Sequence, residues 1–262
     1  MFSKLLITII GILIMICQPA CASTTPQLYG AHRGERWPNP YTQNSTLAIN
    51  AAINDSNVWF IESDVRATND NLGIMQHDAD LTISTNCTGM VSDYSRAYLL
   101  SQCRMNDGSV PQTVEDYVTS IVSAHKHAIL HVKIYTAAFR SYLIKVLQSV
   151  PGARLLIRIG LQSAAQINLW KAEIGSDWYY EFIYTNEPPA DAGTISNQLG
   201  TNVRTMLAPY ALSGAMPSTW LTPFKDYSRL DICTYNYDQD VQSHNTIFKR
   251  VLSNDIAATK AA

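Results

Sequence analysis

Short apolar segments alternate with longer segments of helical periodicity along most of the chain, and this order constrains the fold more than any other feature. The apolar segments are rich in β-branched and aromatic residues, which is typical of buried strands. Seven strands are predicted: LYGAH (28–32), VWFIESDV (58–65), AILHVKIY (128–135), RLLIRIG (154–160), WYYEFIYT (178–185), VRTMLAPY (203–210) and LDICTYNY (230–237). Helices are predicted between strands, for example over 45–56, 114–127 and 139–150. This order indicates parallel strands joined by crossover helices.

The number of these units predicts an α/β fold of the (β/α)8 TIM barrel type. The chain has 262 residues, and such a barrel takes about 250. The eighth strand is assigned to the weakly apolar DIAAT (255–259). A doubly wound open sheet is the alternative, but no glycine-rich phosphate loop follows the first strand. One long excursion over 77–112, between the second and third βα units, is expected to cross the barrel mouth.

Residues 1–22 have the features of a signal peptide. Lys4 gives a positive start, LLITIIGILIMI (5–16) is apolar, and ACA (20–22) offers a small-residue cleavage site. About a dozen apolar residues are fewer than the roughly 20 that span a bilayer, so we expect no stable membrane anchor after cleavage. Residues 23–262 are then expected to form one exported domain, periplasmic or secreted. A retained anchor is the alternative.

Export would place the cysteines after residue 22 in an oxidising environment, where disulfides persist. Cys87 and Cys103 flank one short polar segment, and a disulfide between them would stabilise the fold by about 3 kcal/mol through loop-closure entropy. Cys233 is then expected to be a core thiol, and the alternative is that all three cysteines are free and buried. The sequence contains no Cys-x-x-Cys pair, so neither a structural zinc site nor a redox motif is indicated.

The net charge of the chain disfavours two kinds of partner. The 19 Lys and Arg residues against 21 Asp and Glu residues give a formal net charge of −2, and no basic run occurs. Neither nucleic acid nor an anionic membrane surface is therefore an expected partner.

Arg158, Glu181 and Arg204 interrupt apolar strands, and internal ion pairs are expected, with substrate contacts as the alternative. His125 and His127 fall at a predicted helix end and are expected to be solvated.

The second strand brings two carboxylates to the expected site. Active sites of (β/α)8 barrels lie at the carboxyl ends of the strands, and residues two apart on a strand share a face. Ile61 and Val65 are expected to pack on the helices, which turns Glu62 and Asp64 into the barrel. Two crowded carboxylates repel unless a cation compensates them. A divalent metal is one solution, and a solvated pair at the strand end is the alternative.

The third strand and two histidines extend this site. His131 and Lys133 share a face and are expected to supply a third ligand and a fixed positive charge, with an internal salt bridge as the alternative. His32 and His77 are expected to meet above the carboxylates. One imidazole can hold a proton while the other accepts one, which suits cleavage of a phosphodiester. Arg33 can then bind the phosphate oxygens with its guanidinium fork.

Ordered motifs resemble the glycerophosphodiester phosphodiesterase family. The chain contains AHRG (31–34), NSTLAINAA (44–52), ESDVRATNDNLGIMQHDADLTISTNCTG (62–89) and SVPQTVEDYV (109–118). Family members are similar along all of this, with His-Arg-Gly, Glu-x-Asp-Val, Thr-x-Asp, His-Asp and Pro-x-Leu-x-Glu. The likeness is specific over 28–135 and continues as faint echoes at ICTYN (232–236) and NDIAATK (254–260).

The resemblance implies a (β/α)8 barrel and hydrolysis of a small-molecule glycerophosphodiester to glycerol 3-phosphate and an alcohol. It implies that His32 and His77 are the acid–base pair. It also implies metal ligation by Glu62 and Asp64, phosphate contact by Arg33, and an active-site lysine at Lys133. Calcium or magnesium is the usual metal, in keeping with hard oxygen ligands.

Three departures from the family pattern bear on activity. His131 stands where the family usually has Glu, and an imidazole favours zinc or manganese over calcium. Asn44 lies near a position where the family usually has Glu, and Cys233 replaces a Trp that often stacks on the substrate. Three functions therefore stay open: a glycerophosphodiesterase, a phospholipase for lysophospholipid, sphingomyelin or phosphoinositide head groups, or an inactive barrel that binds phosphodiesters.

Overall fold

The chain folds as a closed (β/α)8 barrel, as predicted. A computed structural model describes residues 28–36, 40–208, 217–225, 227–233 and 250–253. The strands of these described residues are β1 (Leu28–His32), β2 (Val58–Ala67), β3 (Gly73–Met75), β4 (His127–Val132), β5 (Ile157–Leu161), β6 (Tyr179–Tyr184), β7 (Val203–Leu207), β8 (Leu230–Cys233) and β9 (Arg250–Ser253). Neighbours pair in parallel, except that β3 lies antiparallel to β2. Because β1 pairs with both β2 and β9, the sheet closes on itself.

Crossover helices begin at polar capping residues. The described helices are α1 (Thr46–Asn54), α2 (Arg96–Gln102), α3 (Val114–Ser123), α4 (Ala137–Ser149), α5 (Ala153–Leu156), α6 (Ala164–Ile174) and α7 (Ala192–Gln198). The side chains before α1, α2, α3, α4 and α6 accept the amide N–H three residues later; they are Ser45, Ser95, Thr113, Thr136 and Ser163. Such caps satisfy N–H groups that a helix start leaves unpaired. Among the described residues, no helix is long and apolar enough to cross a membrane.

Strand side chains alternate between the helices and the barrel interior. Ile61 and Val65 pack in the outer core with helix residues such as Tyr117, as predicted. The interior has charged side chains at both ends and an apolar layer between them. This apolar layer consists of Phe60, Ile129, Ile183, Met206, Ala208 and Cys233.

Ion pairs occupy the amino-terminal end of the interior. Asp231 accepts hydrogen bonds from Arg204 Nε at 2.8 Å and Nη2 at 2.5 Å. Arg250 Nη2 lies 2.9 Å from Asp231 Oδ2 and 3.3 Å from Glu181 Oε2. The predicted internal pairing is confirmed for Glu181 and Arg204. Arg158 instead contacts the backbone carbonyl of Tyr180.

The excursion over 77–112 docks at the barrel mouth. It carries α2, short 3-10 turns and a disulfide between Cys87 and Cys103, which confirms the predicted pairing. Its own small core contains Leu81, Val91 and Leu99. Thr42, in the loop after β1, donates its backbone N–H to the Asp107 carboxylate at 2.9 Å, and Asp107 N–H donates to Thr42 Oγ1 at 2.9 Å. These bonds hold the excursion against the loop that follows β1.

Two local predictions are wrong. The predicted fourth strand starts too early, because Gly152 takes a left-handed φ of 92° and begins the short helix α5 instead. His127 is not solvated at a helix end. The helix stops at Ser123, His125 turns with a φ of 53°, and His127 opens β4 half-buried.

The eighth barrel strand precedes the predicted one. It is β9, whereas the predicted segment 255–259 lies outside the described residues. The signal segment 1–22 and the family-like segments 234–236 and 254–260 also lie outside them. Within the described residues, Arg250–Ser253 close the barrel by pairing with β1 and β8.

Candidate active site

The carboxyl ends of β1, β2 and β4 bring the predicted site residues together. Parallel pairing sets His32 beside Glu62 and Asp64 beside His131. All four side chains are almost completely buried. Lys133 follows β4 and places Nζ 3.0 Å from Asp64 Oδ1. The register of three strands thus assembles the site that the alternation of side chains predicted.

Glu62, Asp64 and His131 form a group that can hold a metal ion. His131 Nδ1 lies 3.3 Å from Asp64 Oδ1 and 3.7 Å from Glu62 Oε1. One ligand atom from each residue lies within 4.8 Å of the others. Adjacent octahedral ligands at about 2.3–2.6 Å from a cation are about 3.3–3.7 Å apart. The three donors therefore fit a divalent cation.

The electrostatics of this group favour a cation. Burial, and then the charge of Asp64, raise the pKa of Glu62. Glu62 Oε2 accepts no hydrogen bond within the described part of the chain. Burial would also raise the pKa of Asp64, but Lys133 and other positive groups hold that pKa well below its usual value. A carboxylate pair this deeply buried is costly until a cation compensates the charge that remains.

The turn after β1 directs Arg33 at the site. Arg33 has a φ of 61° and donates its backbone N–H to the Glu62 carbonyl at 2.9 Å. Its Nε lies 3.3 Å from Asp64 Oδ2. Gly34 follows with a φ of 84°, and a Cβ there would lie 2.7 Å from the backbone of Ala48. Only glycine fits this position, which explains why a His-Arg-Gly run ends the first strand.

Asn44 holds Asp64 in place, a role that the sequence did not reveal. Its Nδ2 donates to Asp64 Oδ2 at 3.1 Å, and its Oδ1 accepts the Asp64 backbone N–H at 3.0 Å. Asn44 is buried and has a φ of 60°, which Asn tolerates better than most residues. A carboxylate here would repel Asp64, whereas the amide satisfies both its backbone and its side chain.

His77 lies at the rim of the site, two residues beyond β3. Arg66 Nε donates to its backbone carbonyl at 2.7 Å, and Asp78 Oδ1 lies 2.9 Å from its Nδ1. Burial lowers the pKa of His77 to about 4, with Arg33 and Lys133 acting in the same direction and Asp64 against it. The imidazole is therefore neutral at neutral pH. A carboxylate accepts hydrogen bonds, so the contact with Asp78 favours the tautomer with the proton on Nδ1 and a lone pair on Nε2.

Gln43 connects His77 to Arg33, and the sequence carried no signal for it. Its Oε1 accepts from Arg33 Nη1 at 2.7 Å. Its Nε2 donates to Asp78 Oδ2 at 2.6 Å and to Ser84 Oγ at 3.0 Å. One amide thus bridges the loop after β1 to the excursion. Such a contact between distant segments follows from tertiary structure, which no local pattern encodes.

Comparison with known proteins gives matches among solved structures. No protein-family model matches the sequence, and no curated protein matches it. A glycerophosphoryl diester phosphodiesterase from Parabacteroides distasonis is 17% identical over 90% of this chain and 86% of that one, with a TM-score of 0.66. A glycerophosphodiester phosphodiesterase from Agrobacterium tumefaciens is 14% identical over 90% of this chain and 100% of that one, with a TM-score of 0.64.

A third match was solved with a ligand. A phosphodiesterase from Oleispira antarctica, in complex with the product sn-glycerol-3-phosphate, is 14% identical over 89% of this chain and 95% of that one, with a TM-score of 0.69. At such identities the likeness concerns the fold. The protein has the (β/α)8 barrel fold of the solved glycerophosphodiester phosphodiesterases.

Proposed function

We propose that the protein is an exported, metal-dependent phosphodiesterase that hydrolyses glycerophosphodiesters to glycerol 3-phosphate and an alcohol. One observation carries this proposal: two carboxylates and an imidazole converge on a cation site beside Arg33 and Lys133. The shared fold supports it, as does the sn-glycerol-3-phosphate bound by the Oleispira enzyme.

The positive groups bind the substrate phosphate in this proposal. The Arg33 guanidinium and the Lys133 ammonium flank Asp64 from different sides, so an anion above them meets both. A divalent cation bound by Glu62, Asp64 and His131 would supply Lewis-acid stabilisation of the phosphate charge. Fixed charges that face the developing negative charge favour the transition state over the ground state.

The two histidines divide the proton transfers. His77 is neutral and presents Nε2, so it acts as the general base. His32 Nε2 lies 3.9 Å from Glu62 Oε2 at the end of β1, and in this proposal it protonates the leaving alcohol. The attacking group is water or a neighbouring hydroxyl of the substrate. A cyclic phosphate among the early products would identify the hydroxyl.

Turnover of glycerophosphocholine tests the acid–base pair. His32→Asn and His77→Asn are each expected to lower kcat by about 10²–10⁴-fold. His125→Asn is the matched control, because His125 is exposed and Asn tolerates its φ of 53°. Unchanged rates in either site variant would contradict the roles of the histidines. Binding of glycerophosphocholine by the wild type without any product would indicate an inactive barrel.

The metal is proposed to be calcium or magnesium. Two carboxylates suit a hard cation, whereas the imidazole of His131 suits zinc or manganese. Chelator-treated protein, assayed with each of the four metals in turn, distinguishes these cases. The highest activity is expected with calcium or magnesium, and restoration by zinc alone would contradict this assignment.

Export is proposed from residues 1–22 and is supported by the disulfide between Cys87 and Cys103, because disulfides persist outside the reducing cytosol. The mature chain is expected to begin near Ser23 in the periplasm or the medium. N-terminal sequencing of fractionated cells checks this. A cytosolic chain that keeps Met1 would refute it.

A phospholipase is the second candidate, and exposed apolar residues on the excursion favour it. Ile83 is 55% exposed and Met90 is 42% exposed, and Ser84 beside Ile83 bonds Gln43 at the site. Such residues suit contact with a lipid aggregate. Rates on lysophospholipid micelles and on soluble glycerophosphocholine separate the candidates, and Ile83→Ser is expected to lower only a micellar rate.

A further inference from the structure

A cavity of about 230 Å³ lies at the amino-terminal end of the barrel. The starts of five strands line it through Trp59, His127, Arg158, Tyr179 and Arg250. The candidate active site lies at the opposite ends of the strands. The apolar layer separates the two, so whatever the cavity binds does not touch the groups of the proposed hydrolysis.

The charged cluster that adjoins this cavity through Arg250 has an excess of positive charge. In the described part of the chain, Arg158, Arg204 and Arg250 face two carboxylates, those of Glu181 and Asp231. Arg204 and Arg250 both pair with Asp231. Burial, followed by the charge of Asp231, raises the pKa of Glu181 to about 8. Glu181 is therefore mostly protonated at neutral pH, which leaves the cluster with a net positive charge.

Two guanidinium groups on the cavity wall keep unused donors. Arg158 makes no ion pair with any described residue; its Nη1 lies 3.4 Å from the Tyr180 carbonyl, and its Cζ lies 5.1 Å from the centre of the Tyr179 ring. Arg250 Nε is buried and donates to none of the described groups. Unpaired buried donors cost free energy, and an oxyanion would satisfy them in a fork geometry.

Aromatic rings form the rim of the cavity. Trp59 stacks on His127 with ring centroids 4.2 Å apart. Trp59 and Tyr179 are each 37% exposed, so part of each ring is accessible to a ligand. Ring faces beside guanidinium groups suit a planar or apolar substituent. The volume is below the range of about 300–1,000 Å³ for drug-sized ligands, so the ligand must be small.

We propose that this cavity is a second, non-catalytic binding site for a small organic oxyanion, a carboxylate or phosphate that carries a planar apolar group. Arg158 and Arg250 bind the oxygens. The rings of Trp59 and Tyr179 contact the apolar group. The site stands on residues that the proposed hydrolysis does not use, so either proposal can fail alone.

Phenylphosphonate is a suitable probe, because its carbon–phosphorus bond is not a phosphoester. Calorimetric titration of the full chain is expected to show saturable binding. Arg158→Gln is expected to raise the Kd at least about tenfold, as loss of a charge-assisted hydrogen bond does, and Arg158→Lys by less. Arg154→Gln is the matched control, because Arg154 pairs with Asp177 on the surface of the neighbouring α5 and is 48% exposed.

Two further variants locate the bound probe. Trp59→Leu changes an exposed rim residue that the fold tolerates, and it is expected to weaken binding several-fold even if Arg158→Gln unfolds. Arg33→Gln removes the phosphate contact of the candidate active site and is expected to leave this binding event intact. Equal affinity in wild type and Arg158→Gln, or loss of all binding in Arg33→Gln, would overturn the proposal.

Discussion

Gln43 and Asp78 together position the candidate catalytic residues Arg33 and His77. Gln43 contacts Arg33, and Asp78 contacts His77. Gln43 holds Arg33 Nη1 at 2.7 Å and Asp78 Oδ2 at 2.6 Å, while Asp78 orients the His77 ring. One amide therefore links Arg33, the proposed phosphate contact, to His77, the proposed general base, through Asp78. Misplacement of such groups by about 1 Å costs up to 10²-fold in rate.

Gln43→Leu is therefore expected to lower kcat/KM for glycerophosphocholine by about 10–100-fold. Leucine has nearly the same volume but cannot bond either neighbour, so Arg33 and His77 lose their common restraint. Steady-state kinetics measure the effect, with kcat and KM reported separately. Gln102→Leu serves as control, because Gln102 is exposed at the end of α2. Wild-type kinetics in Gln43→Leu would show that the bridge has no positioning role.

His131 is expected to set the metal preference of the candidate site, because it is the one nitrogen donor of the group that could hold a metal ion. His131→Glu replaces the imidazole that lies 3.3 Å from Asp64 Oδ1 with a third carboxylate. Hard oxygen ligands favour calcium, and loss of nitrogen disfavours zinc. Calorimetry on chelator-treated protein is expected to show tighter calcium and weaker zinc binding than in the wild type. An unchanged order of metal affinities would mean that residue 131 does not ligate.

Among the residues that the sequence identified, those on β2 and β4 could be placed from strand alternation. Glu62, Asp64 and His131 could be placed inward because residues two apart share a face. Asn44 and Gln43 could not, since their partners lie on other segments and depend on how loops dock. His127 was misplaced for a local reason: the left-handed turn at His125 ends the helix before it.

The stability of the excursion is expected to depend on its disulfide. The bridge between Cys87 and Cys103 closes a segment of sequence separation 16 within the excursion, and the part of the excursion before this segment supplies Asp78 and Ser84 to the site. The double variant Cys87→Ser/Cys103→Ser is expected to lose about 3 kcal/mol of stability. Its melting temperature should fall by several degrees, and its activity should fall because the Gln43 contacts loosen.

Thermal unfolding with and without reductant measures this effect. Reductant should lower the melting temperature of the wild type to that of the double variant and leave the variant unchanged. Cys233→Ala, which removes a buried thiol outside the bridge between Cys87 and Cys103, should keep the response of the wild type to reductant. A reductant effect that persists in the double variant would assign the stabilisation elsewhere.

Elements were predictable where apolar runs and capping residues agree. The strands β1, β2, β4 and β6 follow apolar runs, and Ser45 and Thr113 mark the starts of α1 and α3. The start of β5 was misjudged because ARLL is as apolar as the strand that follows it. A turn over 150–152, which ends in the left-handed Gly152, separates that helical turn from α4.

In the barrel interior, one apolar layer separates the two charged ends. Such a layer lets a cation site and an ion-pair cluster exist in one interior without sharing charge, because Phe60 and Ile129 exclude water between them. The ring of Phe60 also lies 4.6 Å below the Arg250 guanidinium, which stabilises that cation from the apolar side. Length and the count of βα units predicted the barrel, but not this layering.

Stability of the whole barrel is expected to depend on pH through Glu181. Burial and the charge of Asp231 raise its pKa from 4.5 to about 8 in the folded protein. Between those values the folded state keeps a proton that the unfolded state has released, so stability falls as the pH rises through this window. Asp231 has a lowered pKa, so its contribution is lost only on acidification and does not offset this fall.

Glu181→Gln isolates this effect, because glutamine keeps the shape of the protonated acid and does not titrate. Melting temperatures at intervals from about pH 5 to about pH 8.5 should decline less in Glu181→Gln than in the wild type. The corresponding loss of unfolding free energy should differ between the two proteins by at most a few kcal/mol. Glu173→Gln is the control, since Glu173 pairs with Arg140 on the surface of α6. Other titrating groups are common to all three proteins, so parallel profiles in wild type and Glu181→Gln would mean that Glu181 is ionised in the folded barrel. The net positive charge of the amino-terminal cavity would then be smaller by one.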